Sequence, residues 1–214
     1  MAIELTVSPD LATVVRVGAL TCDITRVIEL DADLDDPLSQ AEGVVTRAGD
    51  GFDIGPSRQL YRSIGIDPIK TRPSSEALLR RVRRGDRLPR INTLVDICNW
   101  CSLEAQLPYG LYDLDQVEPP VTLRRGRPGE AYSGIRKDEV HLDGRLTLVD
   151  TRGPFGNPTS DSARTMVTTS ARRLLVVVFG PARITPAAIS RVLDMTASRY
   201  ARFAGGVETW RWVA

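Results

Sequence analysis

The stretch KTRPSSEALLRRVRRGDRLPRINTLVDICNWCSLEAQLPYGLYDLDQ, residues 70–116, decides the reading of this chain. Pro73 to Gly85 carries Pro and Ser at its start, Glu76 in its first turn, arginines towards its end and Gly85 beyond. These are the end preferences of a helix. A second helix runs from Ile91 to Ala105, with an apolar stripe of Ile91, Leu94, Val95, Cys98, Cys101 or Ser102, and Ala105. Beside that stripe, Asn92, Asp96 and Asn99 fall four and three residues apart and share a face. A carboxylate with two amides can orient a water or hold a ribose hydroxyl. They can equally cap the helix and tie a neighbouring loop. A Tyr/Asp-rich loop follows.

Outward from this stretch the pattern mixes helix and strand. Residues 2–28 are rich in β-branched side chains and predict one or two strands. The acidic run 29–37 leads to a helix over 38–48, and 56–63 predicts a short helix. Val121–Arg124 is an expected strand. Glu139–Leu142 and Arg145–Val149 flank Asp143-Gly144, a hairpin signal. Asp150–Ser162 is expected to be a long Gly/Pro loop, Arg164–Thr168 and Leu174–Phe179 strands, the segment starting at Thr185-Pro186 and stopped by Gly205-Gly206 a helix, and Val207–Val213 a closing strand. The expected class is α+β, a single domain over 1–214 with mixed β-sheet packed against helices.

Composition narrows the function classes. The chain has 214 residues, 42% hydrophobic and 26% charged, as in ordinary globular proteins. No apolar run approaches the ~20 residues that span a bilayer, and the first residues carry no secretory pattern. The expected compartment is the cytoplasm, with no membrane partner. Three cysteines, Cys22, Cys98 and Cys101, make no disulfide framework. Cys98 and Cys101 form a CxxC in mid-helix, which reads as core; no metal or cofactor is expected. His141 is the one histidine, next to a turn, and no Ser-His-Asp set surrounds it. Net charge is only +1, yet Arg72, Arg80, Arg81, Arg83, Arg84, Arg87 and Arg90 crowd one segment. Such a patch can hold a phosphate backbone whatever the total charge.

The motifs Arg72-Pro73-Ser74-Ser75-Glu76-Ala77-Leu78-Leu79-Arg80-Arg81, Leu88-Pro89-Arg90-Ile91-Asn92, Val95-Asp96, Asn99 and Tyr112-Asp113-Leu114-Asp115 resemble the editing module (B3/B4 domain) of the phenylalanyl-tRNA synthetase beta subunit. The resemblance is densest over 53–116 and looser to about 180. It covers only that module, so it implies a free-standing relative and not a complete tRNA ligase. It implies tRNA or aminoacyl-tRNA as partner, or a free amino acid, and hydrolysis of a mischarged aminoacyl ester. Asn99 matches the family's pocket asparagine. Gly110 stands where the family has a pocket histidine, and the family's strand glutamate falls within Val176-Val177-Val178, where there is no acid.

The substitutes are expected from the loop at 150–162 and the residues after it. Asp150, Arg152, Asn157, Asp161, Arg164, Thr165 and Thr168 gather there, and Gly153 and Gly156 let backbone N–H groups approach a ligand. The expected site has Asn99 and Asp161 as catalytic groups. Asp96, Tyr109, Gly110, Asn157, Arg164 and Thr165 are the expected substrate contacts, and Arg72, Arg80, Arg84, Arg87 and Arg90 the tRNA contacts. Two alternatives remain: a non-catalytic binder of tRNA or aminoacyl-tRNA, and an enzyme of a small amino-acid derivative.

Overall fold

Alternation along the buried strands builds the architecture. In Arg173–Pro181, Leu174, Val176 and Val178 point to one core while Leu175, Val177 and Phe179 point to the other. A strand buried on both faces belongs at the centre of three layers, and that is where it lies. The computed structural model describes residues 3–135 and 137–214. Its elements in chain order are β1 (Leu5–Val7), β2 (Val15–Asp23), α1 (Asp35–Ala48), α2 (Gly55–Ser63), α3 (Ser74–Arg83), α4 (Thr93–Ala105), β3 (Tyr109–Asp113), β4 (Val121–Arg125), β5 (Ala131–Gly134), β6 (Lys137–His141), β7 (Leu146–Asp150), β8 (Gly153–Gly156), β9 (Arg173–Pro181), α5 (Pro186–Ala204) and β10 (Val207–Val213).

The middle layer is an antiparallel sheet of order β10-β2-β9-β3. One face packs under α4, α5 and the ends of α1 and α3, through Leu20, Leu94, Ile97, Cys101, Val176 and Leu193. The other packs on a second sheet, β1-β4-β7-β8, through Val17, Ala19, Val121, Leu148, Phe155 and Val177. The hairpin β5–β6 forms a small third sheet. The α+β class and mixed sheet therefore hold, since β1 and β4 pair in parallel among antiparallel neighbours.

Four expectations are corrected. The Tyr/Asp-rich loop is in part a strand: Tyr109–Asp113 forms β3, the edge of the middle sheet, because its alternate side chains fill both cores. Asp143-Gly144 does make a turn, with Gly144 at φ 68 and Arg145 N–H donating to Leu142, but it closes no hairpin. β6 pairs with β5 and β7 pairs with β4 and β8, so the turn carries the chain between sheets. The long loop contains β8, and the expected strand at 164–168 is a short 3-10 turn at Ala163–Thr165. No helix among the described residues is long and apolar enough to cross a membrane.

Candidate functional site

The edge of β3 is where polar groups converge. Gly110 and Tyr112, two residues apart, share a face of the strand. The Tyr112 ring is fully buried and meets Phe155 edge-on, with centroids 5.0 Å apart. Its hydroxyl lies between two glycines. A Cβ on Gly110 would fall 2.1 Å from that oxygen, and one on Gly156 would fall 2.2 Å away. From this slot the hydroxyl donates to Asp161 Oδ1 at 2.8 Å. The backbone amides of Leu111 and Asn157 also donate to that carboxylate.

Asp161 comes from the loop after β8. Asn157 folds this loop by accepting from the Thr159 and Ser160 amides at 2.8 and 2.9 Å and donating to the Tyr132 hydroxyl at 2.7 Å. Tyr132 donates in turn to the Ser160 carbonyl at 2.5 Å. The Ile135 amide donates to the Asp161 carbonyl, which docks the β5–β6 hairpin on the loop. Asp161 lies deep in the protein yet keeps solvent access. Burial pushes its pKa up to about 7, and the Tyr112 hydroxyl and the two amides pull against that rise. The carboxyl is then divided between acid and base near neutral pH, the condition suited to proton transfer.

On the facing side is α4. Its N-terminus is capped by Asn92, whose side-chain oxygen accepts from Leu94 and Val95 at 3.0 and 3.1 Å. Cys98 is buried, and its thiol pKa is raised well above the ordinary value, first by burial, then by Cys101 and Asp161. That effect makes the thiol inert. Asn99 follows, half-buried, with no hydrogen-bond partner among the described residues. Its amide is uncommitted and available to a ligand.

Several expected contacts are engaged elsewhere. Asp96 is fully buried and binds Arg90 Nε at 2.8 Å and the Ile91 amide at 2.8 Å. Arg90 also pairs with Asp35 and donates to the Asp31 carbonyl. Both residues clamp the start of α4, so their polar groups are committed within the protein. Arg164 forks onto both Asp150 oxygens at 3.0 Å and stacks on Phe155, leaving no free edge for phosphate. Tyr109 points to the helical layer, where its hydroxyl meets Thr196 at 3.0 Å. Thr165 is buried against the Phe155 carbonyl. Gly110 opens no extra space, because the Tyr112 hydroxyl occupies it. Among the arginines, Arg80 and Arg84 are exposed and in no ion pair among the described residues. Arg87 pairs with Glu42 at 2.8 Å but stays 65% exposed. Arg72 lies 3.8 Å from Glu76.

A separate groove lies elsewhere. It holds about 590 Å³ between α1 and the α4–α5 pair, lined by Asp36, Gln40, Trp100, Glu104 and Arg202. Its Glu104 is already held by Arg199 and Trp100. The Asp161 cluster has the stronger chemistry although it is not lodged in that volume. Reading Tyr109–Asp113 as a loop hid Tyr112; strand periodicity would have placed it over Gly110.

Comparison with known proteins accords with this layout. The family profile of the B3/4 domain matches residues 57–213. The chain belongs to the B3/4 domain family. This B3/4 domain is 33% identical over 161 residues to the phenylalanine–tRNA ligase beta subunit of Xanthomonas campestris, covering 72% of the chain and 20% of that subunit. The corresponding subunit of Streptomyces avermitilis is 30% identical over 105 residues, 48% of the chain and 12% of the subunit. The B3/4 domain thus spans about a fifth or less of the curated relatives it matches. An N-terminal fragment of the phenylalanyl-tRNA synthetase beta-subunit from Pyrococcus horikoshii shares the fold, with TM-score 0.53 at 15% identity over 100% of this chain and 55% of that one.

Proposed function

We propose that this B3/4 domain is an aminoacyl-tRNA deacylase that hydrolyses a mischarged ester in trans. The observation that carries the reading is Asp161: a carboxylate poised at about 7, held by three donors at the β3 edge and beside α4. Water attacks the ester carbonyl while Asp161 takes its proton. The Asn99 amide donates to the oxyanion that forms. Collapse breaks the acyl–oxygen bond, and protonated Asp161 returns the proton to the departing ribose oxygen. No covalent acyl-enzyme is needed. The exposed arginines of α3 and the turn after it, Arg80, Arg84 and Arg87, supply the phosphate contacts for the acceptor end. Editing of this kind serves because one pocket separates near-isosteric amino acids poorly.

A second reading is a binder that holds tRNA or an aminoacylated end without cleaving it. The occupied space at Gly110 and the wholly apolar Val176–Val178 favour it, since both positions of the family pocket carry no polar side chain here.

Hydrolysis of a panel of correctly and wrongly charged aminoacyl-tRNAs separates the two. The deacylase predicts turnover of at least one mischarged species, lowered by 100-fold or more in Asp161→Ala on the order expected for general base loss, and lowered in Asn99→Ala. No turnover of any species at micromolar protein, with salt-sensitive tRNA binding intact, would leave the binder. A rise in melting temperature with an amino-acid ester but not with tRNA would instead indicate a small-molecule enzyme.

A further inference from the structure

The slot between Gly110 and Gly156 holds one side chain, and that side chain ends on Asp161. A strand residue usually stands away from its own backbone, but the Tyr112 ring lies back along β3 so that its oxygen reaches the space over Gly110. The approach is tight on both sides, and any side chain larger than hydrogen at either glycine would expel the ring. The ring is also locked by Phe155 from β8. The result is a hydroxyl fixed at 2.8 Å from Asp161 Oδ1 with little freedom to turn away.

We propose that Tyr112 is the positioning residue of this site, holding the Asp161 carboxylate at the edge of β3 from the slot between Gly110 and Gly156 and setting how readily it accepts a proton. The proposal rests on the deacylase reading for its consequence in turnover, and on geometry alone for its effect on the carboxyl group. It also gives the glycine at 110 a role: the polar group delivered to that point comes from residue 112.

The groups that face Asp161 come from four elements. β3 offers the Tyr112 hydroxyl and the Leu111 amide, the loop after β8 offers the Asn157 amide, β5 offers Tyr132, and α4 offers Cys98. Tyr112 and Tyr132 have pKa values raised by burial first and by the Asp161 charge after it, and Cys98 by burial, then Cys101, then Asp161. They stay protonated while Asp161 titrates, so the Tyr112 hydroxyl remains a donor throughout. A hydrogen bond donated to a carboxylate favours its charged form. Removing it therefore makes Asp161 a carboxyl that ionises at higher pH.

The test is Tyr112→Phe, which deletes one buried oxygen and keeps the ring. The Asp161 carboxyl is followed by carbon-detected NMR with labelled aspartate, assigned by its loss in Asp161→Asn. The expected result is a titration midpoint that moves up by about one pH unit, with the pH–rate curve of any aminoacyl-tRNA the parent cleaves moving alongside. The rate then falls roughly tenfold on the acid side of the curve and recovers at high pH, with KM unchanged. Leu193→Ala serves as the structural control: it opens a cavity in the helical layer, away from the Tyr112 slot, lowers Tm and leaves the midpoint near that of the parent. Coincident midpoints in parent and Tyr112→Phe overturn the proposal, as does a rate loss equal at every pH. If the parent cleaves no ester while the midpoint still moves, the deacylase reading fails and the positioning role stands. If the parent cleaves an ester and the midpoint does not move, the positioning role alone fails.

Discussion

Asp161 and Asp96 show how one residue type acquires opposite tasks. Asp96 is buried against Arg90, an ion partner whose charge stays in place. Asp161 is buried against neutral donors only, so desolvation wins and the proton is retained up to about 7. The consequence for stability has a definite sign. The unfolded carboxyl loses its proton near 4 and the folded one near 7, so between those values the folded state binds more protons. Stability from this group is full below about 4 and falls as pH rises to about 7. Asp161→Asn removes that loss. Denaturant unfolding at pH 5 and pH 8 should show the parent losing about 1–2 kcal/mol more than the variant between the two, the full shift being discounted for solvent contact. Equal pH dependence would contradict it. Asp96→Ala acts through the ion pair: it strands a partly buried Arg90 and should cost about 3 kcal/mol, read as a lowered denaturation midpoint. Asp161 was legible in the sequence as a polar residue in a glycine-rich loop. Its partner Tyr112 was not, because the contact joins residues 49 apart that only the packing of β3 against the loop brings together.

At the scale of elements, local signals served where they determine structure by themselves. The α3 and α4 helices lie within two residues of their expected ends, with Asn92 as cap. The Asp143-Gly144 turn also formed where expected. Its strand partners did not follow, since a turn fixes a reversal of direction but not the pairing on either side, and β4 and β8 competed successfully for β7. The arginines divide in the same way. Sequence marks them all as one patch; structure separates Arg90, folded into the α4 clamp, from Arg80 and Arg84, which project freely. If α3 contacts the acceptor end, Arg80→Ala with Arg84→Ala should reduce the slope of log affinity for tRNA against log salt by about 1–2, at roughly 0.7–0.9 per phosphate contact. Melting temperature should hardly change. An unaltered salt slope would remove α3 from the tRNA surface, and the editing chemistry would then need another docking face.

The whole molecule separates scaffold from site. The middle sheet has two independent faces, helices over one and a second sheet under the other. The Asp161 cluster is fastened to β3, at the opposite edge of that sheet from β10. On the inner strand β2, Gly18 faces the helical layer so closely that an added Cβ would lie 2.3 Å from Ile189 Cγ2 and 3.2 Å from Leu193 Cδ1. This glycine sets the distance at which α5 rests on the sheet. Gly18→Ala must push the helix outward or twist both side chains from their rotamers, at a cost of about 1–3 kcal/mol. The strain enters through α5 and β2, while the carboxylate is held by β3, β8 and the loop between β8 and β9. Interiors packed in this way transmit displacement through direct contact, and β9 stands between the two places. Gly18→Ala should therefore lower Tm while the Asp161 titration midpoint and the pH–rate curve keep their parental positions. A midpoint that moved with Tm would mean that α5 and the β3 edge form one mechanical unit, in which helix docking sets the basicity of the carboxylate.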